Sequence, residues 1–332
     1  MKKMTNYTKL SDKLPLTTPW TIMIEPTNVC NFKCTFCPTG DKELLKKVNR
    51  PIGHMSLKLF KKIVDDIVMF NQKVKSLRLF KDGESFLNRD LIDMIKYAKE
   101  KNIAEEVYII SNGSLIDEEL AKRIVESGLD KIRISIEHVT NEKYKEITQT
   151  YGKYDQIVKN IRFLYEYKMK SKSNLMIDIK IISSLLKKNE LQKLHQDFKN
   201  ISDIITEESL MGWSNSLEKD FTLGMDTNVG ISGSTKLRNI NVCPEPFKGL
   251  SINFNGDVSV CCVDWSHKTI VGNANYNTIK EIWTGEELRK FRLTHLLGNR
   301  KEIEACANCH YLQGVNELSN LDSVANKLMK EL

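Results

Sequence analysis

The sequence predicts an α/β fold: a partial (β/α)6 TIM-like barrel followed by a small β-hairpin-plus-helix module. Three observations predict it. First, apolar runs of four to seven residues alternate with amphipathic segments of ten to fifteen up to about residue 210, the pattern of repeated βα units around a parallel sheet. WTIMIEP precedes SLKLFKKIVDDIVMF, VKSLRLF precedes RDLIDMIKYAKEK, EVYIISNG precedes DEELAKRIVESG, and KIRISIE precedes NEKYKEIT and YDQIVKNIRFLYEYK. LMIDIKIISS with NELQKLHQDFKN and a last DIITEESL complete six units, although an open doubly wound sheet has the same local pattern. Second, residues 211–242 are rich in Gly, Ser, Asn and Thr and lose helical periodicity, so they read as a connector or substrate-facing loop. Third, GLSINFNGDVSVCC places two short strands around an Asn-Gly turn, a strong hairpin signal.

These changes of character divide the chain into an N-terminal extension (1–18), the barrel (19–210), the connector (211–242), a small module (243–315) and a C-terminal helix (316–332). With 332 residues, 41% hydrophobic and 28% charged, the composition is that of a folded globular protein and not of a disordered chain. No run approaches the length of a membrane span, and the early lysines are not followed by the apolar stretch of a secretory signal. A cytoplasmic location is therefore expected. The net charge of +7 comes from lysines scattered along helical segments, so no nucleic-acid or membrane partner is expected. Eight cysteines in a reducing compartment point to metal or thiol chemistry, not to a disulfide framework.

The first strand runs into EPTNVCNFKCTFCPTG, which puts Cys30, Cys34 and Cys37 on a loop at the strand's C-terminal end, where barrels build active sites. This spacing can bind three irons of a cubane cluster and leave a fourth open to a ligand; a zinc site with a borrowed ligand, or buried free thiols, has the same spacing. The segment resembles the Cys-x3-Cys-x2-Cys fingerprint of the radical S-adenosylmethionine (radical SAM) superfamily, including the aromatic Phe36 before the last cysteine. LFKDGES resembles the family's Gly-Glu-Pro motif, with Gly83 and Glu84 in place and Ser85 where proline is usual. IISNGSLI resembles the motif that packs around the SAM adenosyl group, giving Ser111 and Asn112, and RISIEHV resembles the Ser-x-Asp/Glu motif, giving Ser135 and Glu137. The resemblance covers about residues 20 to 210. Thr148 stands near the position where many relatives carry an arginine, so no SAM carboxylate partner is assigned.

Five cysteines remain: Cys243, Cys261, Cys262, Cys306 and Cys309. The run Cys306-Ala-Asn-Cys309-His310 is open to three readings: covalent haem attachment, half of a zinc site, or half of an iron–sulfur site. Twelve residues separate Cys243 from Gly256, and four more separate Gly256 from Cys261. With Gly272-Asn273, Ile282-Trp283 and the Cys306/Cys309 knuckle, the arrangement resembles the twitch module, a shortened SPASM auxiliary-cluster domain of radical SAM enzymes. The resemblance implies Cys243, Cys261, Cys306 and Cys309 as ligands of an auxiliary [4Fe–4S] cluster. Neighbouring side chains on a strand face opposite ways, so Cys262 is expected to be a packed free thiol. His310, Trp265, Trp283 and Tyr311 are expected to be structural.

The resemblance implies SAM and two [4Fe–4S] clusters as cofactors. It also implies cleavage of SAM to a 5′-deoxyadenosyl radical that takes hydrogen from carbon, with a reductant such as flavodoxin or ferredoxin as partner. If four cysteines saturate the auxiliary cluster, it is placed to accept an electron, and the net reaction is a two-electron oxidation such as alcohol to ketone. Twitch-type dehydrogenases of sugars and aminocyclitols have this pattern, so a small-molecule substrate is expected. Peptide-modifying maturases and redox-neutral sugar decarboxylases or epimerases are the alternatives. Alcohol oxidation needs a base; Glu207, Glu208, Asp226 and Arg238 are available near the barrel mouth, with Trp213 as a pocket-lining candidate.

Overall fold

The computed structural model describes residues 9–151, 153–225, 240–315 and 317–332; Asp226 and Arg238 lie outside the described residues. Nine strands form one sheet: β1 (Thr21–Ile24), β2 (Val74–Arg78), β3 (Ala104–Ser111), β4 (Lys131–Ile136), β5 (Met176–Ile182), β6 (Ile204–Glu208), β7 (Gly249–Ile252), β8 (Asp257–Ser259) and β9 (Ile270–Asn273). Their order is β6-β5-β4-β3-β2-β1-β7-β8-β9. The first six are parallel and adjacent in chain order. A doubly wound sheet reverses its strand order at a switch point; this one does not, and the partial-barrel reading holds.

The longer helices that lie between the first six strands owe their existence to apolar residues at helical spacing. In Leu57–Ile67 the buried residues include Phe60, Ile63, Val64 and Ile67, and Ser56 caps the start by accepting from Leu59 N at 3.2 Å. Asp117 caps Glu118–Glu126 through Leu120 N at 2.8 Å, and Leu91–Lys101 stops at Asn102 in a left-handed conformation. Outer-facing strand residues such as Ile22, Ile24, Leu77, Ile109, Ile134 and Ile179 pack with these helices into one core, each fully buried side chain contributing about 1.5–3 kcal/mol. The inner face of the same strands is polar. Arg133 on β4 donates from Nε to Asp178 on β5 (2.9 Å) and from an Nη to Glu208 on β6 (2.9 Å), and Lys131 pairs with Asp178 at 3.0 Å.

The hairpin expected from the Asn-Gly turn is present: β7 and β8 pair antiparallel, with Gly256 at φ +92°. It is not a detached unit, because β7 pairs in parallel with β1 over Thr21↔Gly249 to Ile24↔Ile252. The cysteine-bearing hairpin is thus a continuation of the barrel sheet. Two helices, Ile279–Thr284 with a Thr278/Glu281 capping box and Glu286–Leu296, cover it. The DKELLKK stretch, unread as an element from sequence, forms the helix Lys42–Lys47 directly after the cysteine loop. The C-terminal segment contributes the helix Ala325–Glu331. Among the described residues no helix is long and apolar enough to cross a membrane.

A Cβ at position 249 would lie 2.4 Å from the Thr21 carbonyl oxygen. Gly249→Ala is expected to lower stability by about 1–3 kcal/mol through forced separation of β1 and β7, read as a lower urea midpoint and faster proteolysis within the hairpin. An unchanged midpoint is the contrary result.

Candidate active site and the two cysteine centres

The loop after β1 is shaped by close backbone approaches. Cys37 N donates to Cys34 O at 3.0 Å and Cys30 Sγ accepts from Phe32 N at 3.4 Å. Lys33 N and Thr35 N donate to the Thr148 and Ile147 carbonyls at 2.9 and 3.0 Å, so the end of the helix Asn141–Thr148, whose last carbonyls have no partner within the helix, props up the loop. Thr148 itself is buried and donates its hydroxyl to Tyr144 O at 2.8 Å.

Gly83 and Glu84 lock the second loop beneath the first. A Cβ on residue 83 would come within 2.4 Å of Thr27 O and 2.6 Å of Val29 O, and Glu84 N donates to Val29 O at 2.9 Å. The Glu84 side chain is buried; its carboxylate accepts from Ser111 Oγ (2.9 Å), Asn112 N (2.7 Å) and Phe86 N (3.2 Å). Burial raises its pKa against these hydrogen bonds. Asn112 Nδ2 in turn reaches Asn31 Oδ1 in the cysteine loop at 2.8 Å. Three of the four motifs singled out in the sequence therefore meet, and Glu84 joins them. Without its carboxylate each stranded donor would cost about 1–3 kcal/mol.

Glu137 is buried beside the same loop; Oε2 has no partner, and burial raises its pKa. Such an orphaned oxygen fits a ligand not carried by the chain. Ser135 is half-buried on β4, in register with Lys180. Phe36 is buried against Ile182 and Leu210. All three triad thiols are free, and burial raises the pKa of each, that of Cys30 to about 12. Burial outweighs the pull of Lys180 on Cys34 and of Arg50 on Cys37, so the thiols stay protonated until a metal displaces their protons.

The second cysteine centre lies in the C-terminal module. Cys243, Cys261, Cys306 and Cys309 line one cavity, together with Arg300 and Tyr311, and burial raises the Cys243 and Cys306 pKa values, the latter to about 12. Cys262 lines a different cavity with Arg78 and Lys248. The chain has already left the strand at this point, yet the two neighbouring thiols still line separate cavities. His310 packs its ring against Gly212 and has no place in the cavity lining. Trp265 and Trp283 are buried core residues.

Trp213 links the centres: its indole N donates to Phe36 O at 3.1 Å, and its carbonyl accepts from His310 N at 3.1 Å. It is a strut between the loops rather than an isolated pocket wall. Glu207 is corrected as a base candidate. It points to the outer helix layer and meets His195 Nε2 at 2.9 Å, because its parity on β6 is that of Ile205, which packs on the core. Glu208, one residue on, faces inward but is held by Arg133.

Sequence reading missed a buried charged group at the barrel mouth: Glu25 after β1, Lys81 and Asp82 after β2, Arg50, and Asp264 and His267 on the loop after Cys261. Its signal was available in Glu25, a carboxylate immediately after an apolar strand, with the parity of Met23 and Thr21 on the inner face.

Gly83→Ala is expected to displace the cysteine loop and to cost the triad its cluster. Iron per chain after anaerobic reconstitution should fall from roughly eight to roughly four; full iron retention would contradict the close-packing account.

The radical SAM superfamily model matches residues 24–180, and the SPASM model, an iron–sulfur cluster-binding domain, matches residues 243–310. Fe-coproporphyrin III synthase of Methanosarcina barkeri is 26% identical over 340 residues, covering 87% of this chain and 80% of that protein. A GTP 3′,8-cyclase of Clostridium perfringens is 26% identical over 160 residues, 47% of this chain and 46% of its own length. Among solved structures, BtrN in complex with AdoMet and 2-DOIA superposes with a TM-score of 0.57 at 16% identity, over 87% of this chain and 92% of that one. Streptococcus suis SuiB bound to the precursor peptide SuiA gives 0.65 at 16%, over 92% and 72%. The matched domains imply SAM and [4Fe–4S] clusters as cofactors, which the two thiol sets and the unpartnered Glu137 oxygen fit. The chain is a radical SAM enzyme with a C-terminal SPASM-type iron–sulfur domain.

Proposed function

We propose that this enzyme oxidises an alcohol of a sugar or cyclitol-type small molecule to a ketone, with two [4Fe–4S] clusters: one at Cys30, Cys34 and Cys37, and one at Cys243, Cys261, Cys306 and Cys309. SAM, bound where the triad leaves one iron without a protein ligand, supplies the radical that removes hydrogen from carbon. Phe36, Gly83, Glu84, Ser111, Asn112, Ser135 and Glu137 line or support the SAM site. The observation that carries the reading is the convergence of four thiols on one cavity. Four protein ligands saturate a cubane cluster, so that centre has no iron for a substrate and serves as the electron acceptor. The similarity in fold to BtrN, solved with 2-DOIA, is consistent with a small-molecule site. A reductant of the flavodoxin or ferredoxin class and a cytoplasmic setting complete the reading.

One observation favours a second reading, a redox-neutral reaction on an acidic substrate. Arg78 and Lys248 line an interior cavity, Arg78 Nε has no partner, and the match to Fe-coproporphyrin III synthase runs through most of both chains.

Iron, acid-labile sulfide and zinc per chain, measured in wild type and in Cys30/Cys34/Cys37→Ala, separate the two. Roughly eight irons falling to roughly four support two cubanes; roughly four falling to none, with zinc present, would remove the electron acceptor. Cys37→Ala is expected to abolish SAM cleavage, whereas Cys309→Ala retains some cleavage and forms no ketone. Full ketone formation by Cys309→Ala would sink the acceptor role.

A further inference from the structure

Fifteen buried side-chain nitrogen and oxygen atoms lack a hydrogen-bond partner among the described residues, and six of them belong to one group: Glu25 Oε1, both Asp82 carboxylate oxygens, both His267 ring nitrogens and Arg50 Nε. In folded proteins nearly all buried polar atoms have a partner, and the other nine are spread over nine different residues, so this concentration marks a place where something else is received. Glu25 is fully buried and Asp82 is 5% exposed; ligand atoms of Glu25, Asp82 and His267 lie within 4.8 Å of one another.

The group lies between the two cysteine centres. On one side Asp82 immediately precedes Gly83 and Glu84, and its carbonyl accepts from Thr39 Oγ1, just beyond Cys37, at 2.5 Å. On the other, Lys81 Nζ donates to the carbonyl of Asp264 at 3.0 Å, and Asp264 lines the four-thiol cavity. His267 holds a left-handed backbone, φ +56°, a conformation an ordinary residue keeps only where its surroundings impose it, often at functional sites.

Charge decides what is received. Glu25, Asp82 and Asp264 are three carboxylates facing two cations, Lys81 and Arg50, with Lys81 3.3 Å and Arg50 3.6 Å from Asp82. Burial holds the His267 pKa down at about 3, so the ring is neutral. One negative charge is left over. A divalent cation would overshoot to a buried positive charge, whereas one proton neutralises the group. Glu25 is the natural bearer: Oε2 accepts from Phe254 N at 3.2 Å while Oε1 is unpartnered, and burial pushes its pKa up to about 7 against the pull of Lys81, the range of an effective base.

We propose that Glu25 is the proton acceptor of this enzyme, in a hydroxyl-binding site completed by Asp82 and His267; the proposal rests on the alcohol-oxidation reading. The secondary alcohol loses a hydrogen atom from carbon to the SAM-derived radical and one electron to the auxiliary iron–sulfur centre. Its O–H bond breaks, the proton bonds to Glu25 Oε1, and C=O forms. Asp82 and His267 hold the reacting hydroxyl or its neighbour. The chemistry asked of the ligand is a polyol with vicinal hydroxyls.

The test uses reconstituted holoenzyme with SAM and myo-inositol as probe, following binding by calorimetry and loss of two hydrogens by mass spectrometry, with iron per chain as the check that each variant has folded. Wild type is expected to bind and oxidise the probe. Glu25→Gln, still a hydrogen-bonding side chain, should keep KM within threefold and lose at least 100-fold in kcat. His267→Asn, which tolerates the left-handed backbone, should weaken binding at least tenfold. Glu25→Gln turnover within threefold of wild type overturns the proposal while leaving alcohol oxidation standing. Absence of probe binding to wild type overturns both. Stoichiometric Mn2+ binding to wild type that is lost in Glu25→Gln makes the group a cation site and also overturns the proposal.

Discussion

The parallel pairing of β7 with β1 is the constraint on which the rest of the molecule depends. Strand β1 has β2 on one side and β7 on the other, so one short strand carries the triad loop at its end and anchors the auxiliary hairpin along its edge. The contact is possible because residue 249 has no Cβ to strike the Thr21 carbonyl. From that pairing follow the positions of Asn253, Asp264 and His267 over the barrel mouth, and Lys81 Nζ closes the junction by donating to Asn253 Oδ1 at 2.8 Å.

Around this junction the molecule stores unfavourable burial and offsets it locally. Glu84 is as buried as Glu25, yet its carboxylate accepts three protein hydrogen bonds and acts as a brace. Glu25 has one such bond. Two carboxylates at the ends of adjacent strand loops thus have different roles, set by how many donors each meets. The same contrast separates Glu207 from Glu208: one residue of strand parity sends the first to His195 on the outer helix layer and the second to Arg133 inside.

The thiols follow a related logic. Burial raises the pKa of the triad thiols and of Cys243 and Cys306, and the loops that carry the triad are tied down by backbone hydrogen bonds from Lys33 and Thr35 and by the Trp213 strut. The cysteine geometry is therefore held by the surrounding chain and ready for a metal whose binding releases the protons.

Much of this was legible in the chain itself. Period-two apolar runs and helical spacing specify six βα units because each element needs one apolar face, the Asn-Gly turn specifies its hairpin because φ > 0 is required there, and the close spacing of Cys30, Cys34 and Cys37 puts three thiols on one loop, whereas Cys243, Cys261, Cys306 and Cys309 were grouped only by resemblance to the twitch module. What only the tertiary structure decided are the relations between segments far apart in sequence: the β1–β7 pairing, the bridge made by Trp213, and the gathering of Glu25, Arg50, Lys81, Asp82, Asp264 and His267. No local pattern encodes these, because each is set by strand register and side-chain parity between elements, and a one-residue shift in either sends a charged group to the opposite face.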